Sequence, residues 1–355
     1  MKILITGICG FVGSSLAENL FERRPGISIV GVDNLMRPGS EFNRPKLRKL
    51  GVTLLHGDIR LASDFESFPA VDWVIDAAAN PSVLAGTQSG FSSRQLVEHN
   101  LISVVNVLEY CKAHRAGLLL LSTSRVYSIE ALAALPLRPD GDAFHLNCEA
   151  SMPAGVSPRG IGVDFSTRPP ISLYGSTKLA AETVALEYGE AFDFPVWINR
   201  CGVLAGAGQF GTPDQGIFSY WINAHAARRP LRYIGFDGTG KQVRDLFHPR
   251  DLTALVDTQM SAFRSNGQRI YCAGGGPANA ISLARLNAWC DARFGAHTPA
   301  ADPRPRRYDI PWVIMDSSDA ERDFGWRVET PMERVLEEIA QHAEQNPGWL
   351  ELSAP

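Results

Sequence analysis

The apolar run Lys2–Thr6 breaks into glycines at positions 7, 10 and 13, and the chain then continues as an amphipathic stretch, Ser14–Arg24, with Leu16, Ala17 and Leu20 on one face. Few arrangements satisfy this spacing. Gly7 permits a tight turn after a strand, Gly10 lets the backbone approach a diphosphate, and Gly13 lets the following helix pack close to that strand. The first helical turn, with Phe11 and Val12, offers unpaired N–H groups to phosphate oxygens. A second apolar run, Ser28–Asp33, ends in a carboxylate about 20 residues past Gly13, where a dinucleotide's adenosine ribose is read. Asp33 accepts from ribose hydroxyls and repels a 2′-phosphate, so the expectation is NAD rather than NADP, with Arg37 the one nearby group that softens it. Asn34 adjoins Asp33. Asp58 and Ile59, after a third strand, stand beside the adenine in this reading, although Asp58 equally fits a solvated turn.

Further short apolar runs follow at Thr53–His56, Trp73–Ala77, Leu118–Ser122 and Val196–Arg200. Helical spacing lies between them at Phe91–His114 and Lys178–Phe192. Strands alternating with helices predict an α/β fold: a Rossmann-type doubly wound parallel sheet, with ligands at the carboxyl ends of its strands. Ala77, Ala78, Asn100 and Cys201 fall near those ends and are expected against the cofactor. Residues 1–203 are assigned to this domain, with a long aperiodic insert at about 128–173. Residues 204–345 are assigned mainly to a smaller, loop-rich C-terminal substrate lobe, from which about 241–262 rejoin the first domain. The tail Pro331–Glu344 reads as an amphipathic helix.

Composition removes several function classes. Net charge is −4, with both signs dispersed, so no basic stripe suits nucleic acid or an anionic membrane. No run of 18 apolar residues is present, and no secretory leader is expected at the amino terminus. The six cysteines form no CxxC pair and adjoin no histidine at ligand spacing. The expectation is therefore reduced thiols, no metal and a cytoplasmic protein.

Tyr174 and Lys178 are four apart at the start of a predicted helix, on one face. A cation beside a phenol stabilises phenolate, which then serves as a base. Ser122-Thr123-Ser124 ends a strand at the same sheet edge and supplies the hydroxyl that holds a reacting oxygen. His248 reads as a packing or capping residue, and Arg228-Arg229 as a solvated helix end. Phe218, Tyr220 and Trp221 fit a stacking surface and an apolar helix face equally well.

Together these motifs resemble the extended short-chain dehydrogenase/reductases, which include the nucleotide-sugar epimerases, dehydratases and decarboxylases. The resemblance rests on TGxxGFVG, Asp33-Asn34-Leu35, Gly57-Asp58-Ile59, Ser-Thr-x-x-Val-Tyr at 122–127 and Tyr-Gly-x-x-Lys at 174–178. Gln209–Gly216 and Gly238–Asp245 are similar to the CDP-paratose (CDP-tyvelose) 2-epimerases, as is the long insert. The resemblance implies Thr123, Tyr174 and Lys178 as the catalytic set and a bound NAD that is not consumed. It implies substrate contacts from Thr123, Ser124, Gln209 and Gln215, with Arg244 and Arg306 against the nucleotide or diphosphate. It further implies a CDP-sugar substrate, inversion at C2 and a homodimer. Other readings stay open: a UDP-sugar 4-epimerase using the same three residues, a 4,6-dehydratase, or a non-enzymatic nucleotide-binding protein. A dehydratase is disfavoured because relatives with that chemistry carry Asp-Glu after the catalytic threonine, where this chain has Ser124-Arg125. Where many relatives carry an asparagine before Val-Tyr-Gly, this chain has Cys201-Gly202-Val203. Asp76 stands where relatives have histidine or leucine. Asn147, Glu149, Arg159, Asp164 and Arg168 of the insert are further candidate contacts.

Overall fold

The computed structural model describes residues 1–87, 92–262 and 267–352. Seven strands form the central sheet: β1 (Lys2–Thr6), β2 (Ser28–Asp33), β3 (Thr53–His56), β4 (Trp73–Asp76), β5 (Gly117–Thr123), β6 (Val196–Cys201) and β7 (Ile270–Ala273). Their order is β7-β6-β5-β4-β1-β2-β3. Every neighbouring pair is parallel. The order reverses between β1 and β4, the position where such sheets open a crevice for ligands.

The period of two along each strand divides the apolar side chains of the sheet between its two faces, which together make the first core. On one face Ile3 and Ile5 pack with Leu16 and Leu20 of α1 (Phe11–Arg23), and with Leu252, Leu255 and Met260 of α5 (Pro249–Ser261). On the other face Leu4, Val74 and Leu118 meet Val104, Val107 and Leu108 of α2 (Ser103–His114), and Ala181 and Ala185 of α3 (Ser172–Phe192). The helix expected over Phe91–His114 is not one uniform α-helix. Phe91 lies outside the described residues, and Ser93–Val97 runs into a π-turn at Glu98–Ile102 before α2. The wider turn buries Asn100, whose amide donates to the Asn80 carbonyl (3.0 Å) while its own oxygen accepts from the Asn80 N–H (2.8 Å).

A second core gathers α4 (Ile217–Ala226), α6 (Leu283–Phe294) and α7 (Met332–Gln345), with Val335, Leu336, Ile339 and Ala340 of α7 buried in it. Pro249–Ser261, β7, Ala320 and Trp326 all pack on the first core, so the chain passes between the two more than once. The segment expected to be aperiodic contains two small hairpins, Leu137–Asp140 with Ala143–Leu146 and Val156–Ser157 with Gly160–Ile161. They pack on Ile310 and Trp312–Met315. Arg228 is not simply solvated: it donates to the carbonyls of Phe294, Gly295 and Ala296 at the end of α6. Among the described residues no helix is long and apolar enough to cross a membrane.

Helix α3 is fixed to the sheet by a buried ion pair. Arg200 on β6 donates to Glu182 through Nε (3.1 Å to each oxygen) and Nη2 (2.7 Å). The Ser122 hydroxyl on β5 donates to the same carboxylate, Arg200 also reaches the Val163 carbonyl (3.0 Å), and its guanidinium lies 5.3 Å from the Tyr127 ring centre. Removing one partner of such a pair leaves an uncompensated buried charge, at a cost of about 3–5 kcal/mol. Glu182→Gln is therefore expected to lower unfolding stability by that amount in a denaturant titration. Joint replacement, Glu182→Met with Arg200→Leu, is expected to cost less than the single change. A loss under about 1 kcal/mol for Glu182→Gln contradicts this role.

Candidate active site

Two adjoining cavities run along the carboxyl ends of the strands, sharing Ala77, Ala78, Ala79 and Pro81 in their walls. The smaller, about 360 Å³, is lined by Gly7, Gly10, Asp33, Asn34, Asp58 and Ile59 among others. Gly7 adopts φ +62°, and a Cβ there would come within 2.9 Å of the Ala78 backbone. A Cβ on Gly13 would come within 2.3 Å of the Gly7 carbonyl oxygen. The loop thus follows a course that side chains at those positions would block, and it brings the start of α1 to the cavity. Cys9 N–H (2.9 Å) and Leu35 N–H (2.8 Å) both donate to the Asp33 carboxylate and fix its orientation. Burial raises the Asp33 pKa, with those two N–H groups opposing the rise.

Arg37, the nearby group that softens the preference for NAD, is already engaged. Its guanidinium donates to Gln215 Oε1 (3.1 Å) and the Phe210 carbonyl (3.2 Å) and lies 5.3 Å from the Phe210 ring centre. Asp58 is held by Arg60 (Nε to Oδ1, 2.9 Å) and by the Asn34 amide (3.2 Å), and Arg60 is the main cause that lowers its pKa to about 2. These contacts give Asp58 a local structural task beside its place in the cavity wall. The shape fits an extended dinucleotide: a glycine loop at a helix start, an oriented carboxylate at the end of β2, and a passage into the next cavity.

The larger cavity, about 590 Å³, brings together Val12, Ser122, Thr123, Ser124, Tyr174, Lys178 and Cys201 from the sheet edge with Gln209, Gln215, Arg244 and Arg306 from the second core's side. Burial raises the Tyr174 pKa, while the Thr123 hydroxyl and the Arg125 charge favour phenolate. Burial lowers the Lys178 pKa, opposed by the charges of Asp76 and Glu182. Burial pushes the Cys201 thiol up to about 12, so it is an inert wall residue rather than a thiolate.

Arg244 and Arg306 share this wall with Arg125 and Arg307. Arg244 donates to the carbonyls of Val243 and Ile310 (both 2.7 Å) and lies 3.4 Å from Asp309. Burial lowers its pKa to about 10. Arg306 pairs with Asp214 and donates to the Pro213 carbonyl. The positive charges exceed the facing carboxylates, an arrangement suited to a diphosphate. Gln209 donates to the Leu204 carbonyl (2.7 Å), and its Oε1 is buried without a partner.

Not every residue singled out in the sequence reaches a cavity. Phe11, Gly13 and Asn100 line neither, and Asn100 acts through Asn80, which does. None of Asn147, Glu149, Arg159, Asp164 and Arg168 lines either cavity. Arg159 instead pairs with Glu321 at 2.8 Å. His248 caps α5 by accepting from the Arg250 N–H (3.1 Å) and faces Glu338. Phe218, Tyr220 and Trp221 line the larger cavity; Phe218 and Trp221 also serve the second core, where Trp221 stacks on Tyr233. Sequence reasoning missed the Arg37–Gln215 tie, and it used Arg125 only to disfavour a dehydratase. Arg125 directly follows the hydroxyls that end β5, and that adjacency was the available signal. Among the described residues no group of three or more His, Cys, Asp or Glu is placed to hold a metal ion.

Comparison with known proteins supports the same reading. The chain is 29% identical over 296 residues to the CDP-paratose 2-epimerase of Salmonella typhi, covering 81% of this chain and 82% of the relative. It is 24% identical over 349 residues to the UDP-glucose 4-epimerase of Corynebacterium glutamicum, covering 95% and 94%. A crystal structure of a UDP-glucuronic acid 4-epimerase mutant from Bacillus cereus, in complex with a fluorinated UDP-glucuronic acid and NAD, superposes with a TM-score of 0.79. It covers 97% of this chain and 99% of that one at 22% identity. The model of the NAD dependent epimerase/dehydratase family matches residues 3–274, and the chain belongs to that family.

Proposed function

We propose that this protein is an NAD-dependent epimerase that inverts C2 of a CDP-hexose by transient oxidation and re-reduction. The observation that carries the reading is the convergence in one cavity of Thr123, Tyr174 and Lys178 with the Arg244 and Arg306 charges, next to a dinucleotide-shaped groove. NAD bound in that groove supplies a hydride acceptor that later becomes the donor. Gly7, Gly10 and the start of α1 hold its diphosphate, and Asp33 holds the adenosine ribose. Tyr174, as phenolate, takes the proton from the sugar hydroxyl and returns one when the ketone is reduced. Thr123 donates to the reacting oxygen. Lys178 sustains the phenolate, and the surrounding burial keeps water from competing. Arg244 and Arg306 anchor the substrate diphosphate while the sugar ring turns to present its other face. Gln209 Oε1, buried and unpartnered, is available to a substrate hydroxyl.

Preference for CDP and C2 is supported by the likeness to the Salmonella relative and by Gln209–Gly216 and Gly238–Asp245. Inversion at C4 of a UDP-sugar is the second reading, favoured by the Corynebacterium relative's fuller coverage of both chains. The test is incubation with a panel of CDP-, UDP-, GDP- and dTDP-hexoses without added cofactor, read by NMR. A C2-inverted CDP-hexose is the expected product. A C4-inverted UDP-hexose replaces the substrate assignment, and a product lighter by one water contradicts epimerisation. In the same assay Tyr174→Phe is expected to retain its fold and bound NAD while losing about 10²–10⁴-fold in turnover. Full activity of that variant contradicts the catalytic assignment. Asp33→Arg is expected to move cofactor preference towards NADP, and an unchanged ratio of the two affinities overturns Asp33's role.

A further inference from the structure

Arg125 occupies an unusual place for a guanidinium. It comes two residues after Thr123, whose hydroxyl accepts from the Arg125 N–H at 3.2 Å. Its own carbonyl packs against α3 at Gly175, where a Cβ would come within 2.2 Å of that oxygen. The residue is thereby pressed against the helix turn that carries Tyr174. Its side chain is then held from the other side, since Nη1 donates to the Tyr308 carbonyl at 3.0 Å. Arg125, Tyr174 and Tyr308 all line the larger cavity. Lys178 reaches this cavity from the next turn of α3, where Asp76 and Glu182 face it.

We propose that Arg125 is a second counter-charge to the Tyr174 phenolate, standing on the substrate side of the phenol while Lys178 stands towards the sheet. It is a positioning residue that acts through Tyr174. The inference rests on Tyr174 being the acid–base group of the proposed reaction, but not on which sugar reacts. The groups around the phenol bear it out. Against the rise caused by burial, the Thr123 hydroxyl and the Arg125 charge favour ionisation, and Cys201 on β6 opposes it. Burial lowers the pKa of Arg125 itself, while the charges of Asp309 and Tyr174 favour its charged form and Arg306 opposes it. Asp309 also lies 3.4 Å from Arg244, so its negative charge is divided among neighbouring arginines. Arg125 therefore keeps part of its field for Tyr174. An opposite charge within about 4–6 Å lowers an acid's pKa by about 1–3. In this proposal the two cations sit on different elements, Lys178 on α3 and Arg125 after β5, and Arg125 is the one whose charge favours the phenolate against burial.

The direct test is the ionisation of Tyr174 in the NAD-loaded protein. Near-ultraviolet titration of phenolate absorbance, taken as the difference from Tyr174→Phe, isolates that one phenol. Arg125→Gln drops the charge but keeps a donor for the Tyr308 carbonyl, and is expected to raise the midpoint by about one pH unit or more. Arg125→Lys is expected to keep most of the parent value. If Arg125→Gln does not fold, Arg125→Met carries the same expectation. With the sugar that reacts, the acid limb of kcat should move to higher pH in Arg125→Gln, because a base needs the deprotonated phenol and its ionisation now occurs later. An unchanged phenol midpoint in Arg125→Gln overturns the inference. A turnover loss equal at all pH values does so as well. Either result leaves the epimerase reading standing, which falls only if Tyr174→Phe stays active.

Discussion

Glu182 lies one helical turn beyond Lys178, and its carboxylate is shared by Ser122 on β5 and Arg200 on β6. Helix α3, which carries Tyr174 and Lys178, is thereby locked in register with the two strands whose ends carry Thr123 and Cys201. Neither the phenol nor the ammonium of α3 would meet the Thr123 hydroxyl reproducibly if that helix slid or rolled on the sheet. Both charges are buried, and two guanidinium nitrogens meet the carboxylate at once, which fixes the direction of the contact. Its value lies in specifying one arrangement more than in net stability.

The glycine loop performs the matching task at the other end of the cleft. Its backbone course is set by what Gly7 and Gly13 lack. The same loop fixes Asp33 through the Cys9 N–H, so the residue proposed to read the ribose is oriented by the loop proposed to hold the diphosphate. Arg37 and Gln215 then connect the β2 end to the loop of the second core. Through that tie the smaller groove and the wall of the larger cavity form one continuous surface.

Most of this was legible in the sequence because it rests on short-range rules. The spacing of Gly7, Gly10 and Gly13 and the Tyr174–Lys178 pair each express a geometry set by a few consecutive residues, and Asp33 follows from its place at the end of the next strand. The strand series emerged for the same reason, since buried parallel strands read as continuous apolar runs. What escaped detection depends on distant partners. The hairpins of the insert gain their burial from Trp312–Met315, far along the chain. Asn100 sits in a π-turn, so it faces Asn80 rather than the cofactor groove. The position of Arg125 after the β5 hydroxyls was a local signal, but its hold against Gly175 and Tyr308 comes from partners distant in the chain.

In the proposed reaction hydride leaves and returns to one sugar carbon inside a closed cycle. The most direct measurement uses a CDP-hexose deuterated at C2, converted without added cofactor in ordinary water. Transient oxidation at C2 predicts an inverted product that retains its deuterium there, with the protein-bound NAD unchanged in amount. Loss of the label to solvent would mean that C2 is inverted by deprotonation, and would contradict transient oxidation at that carbon.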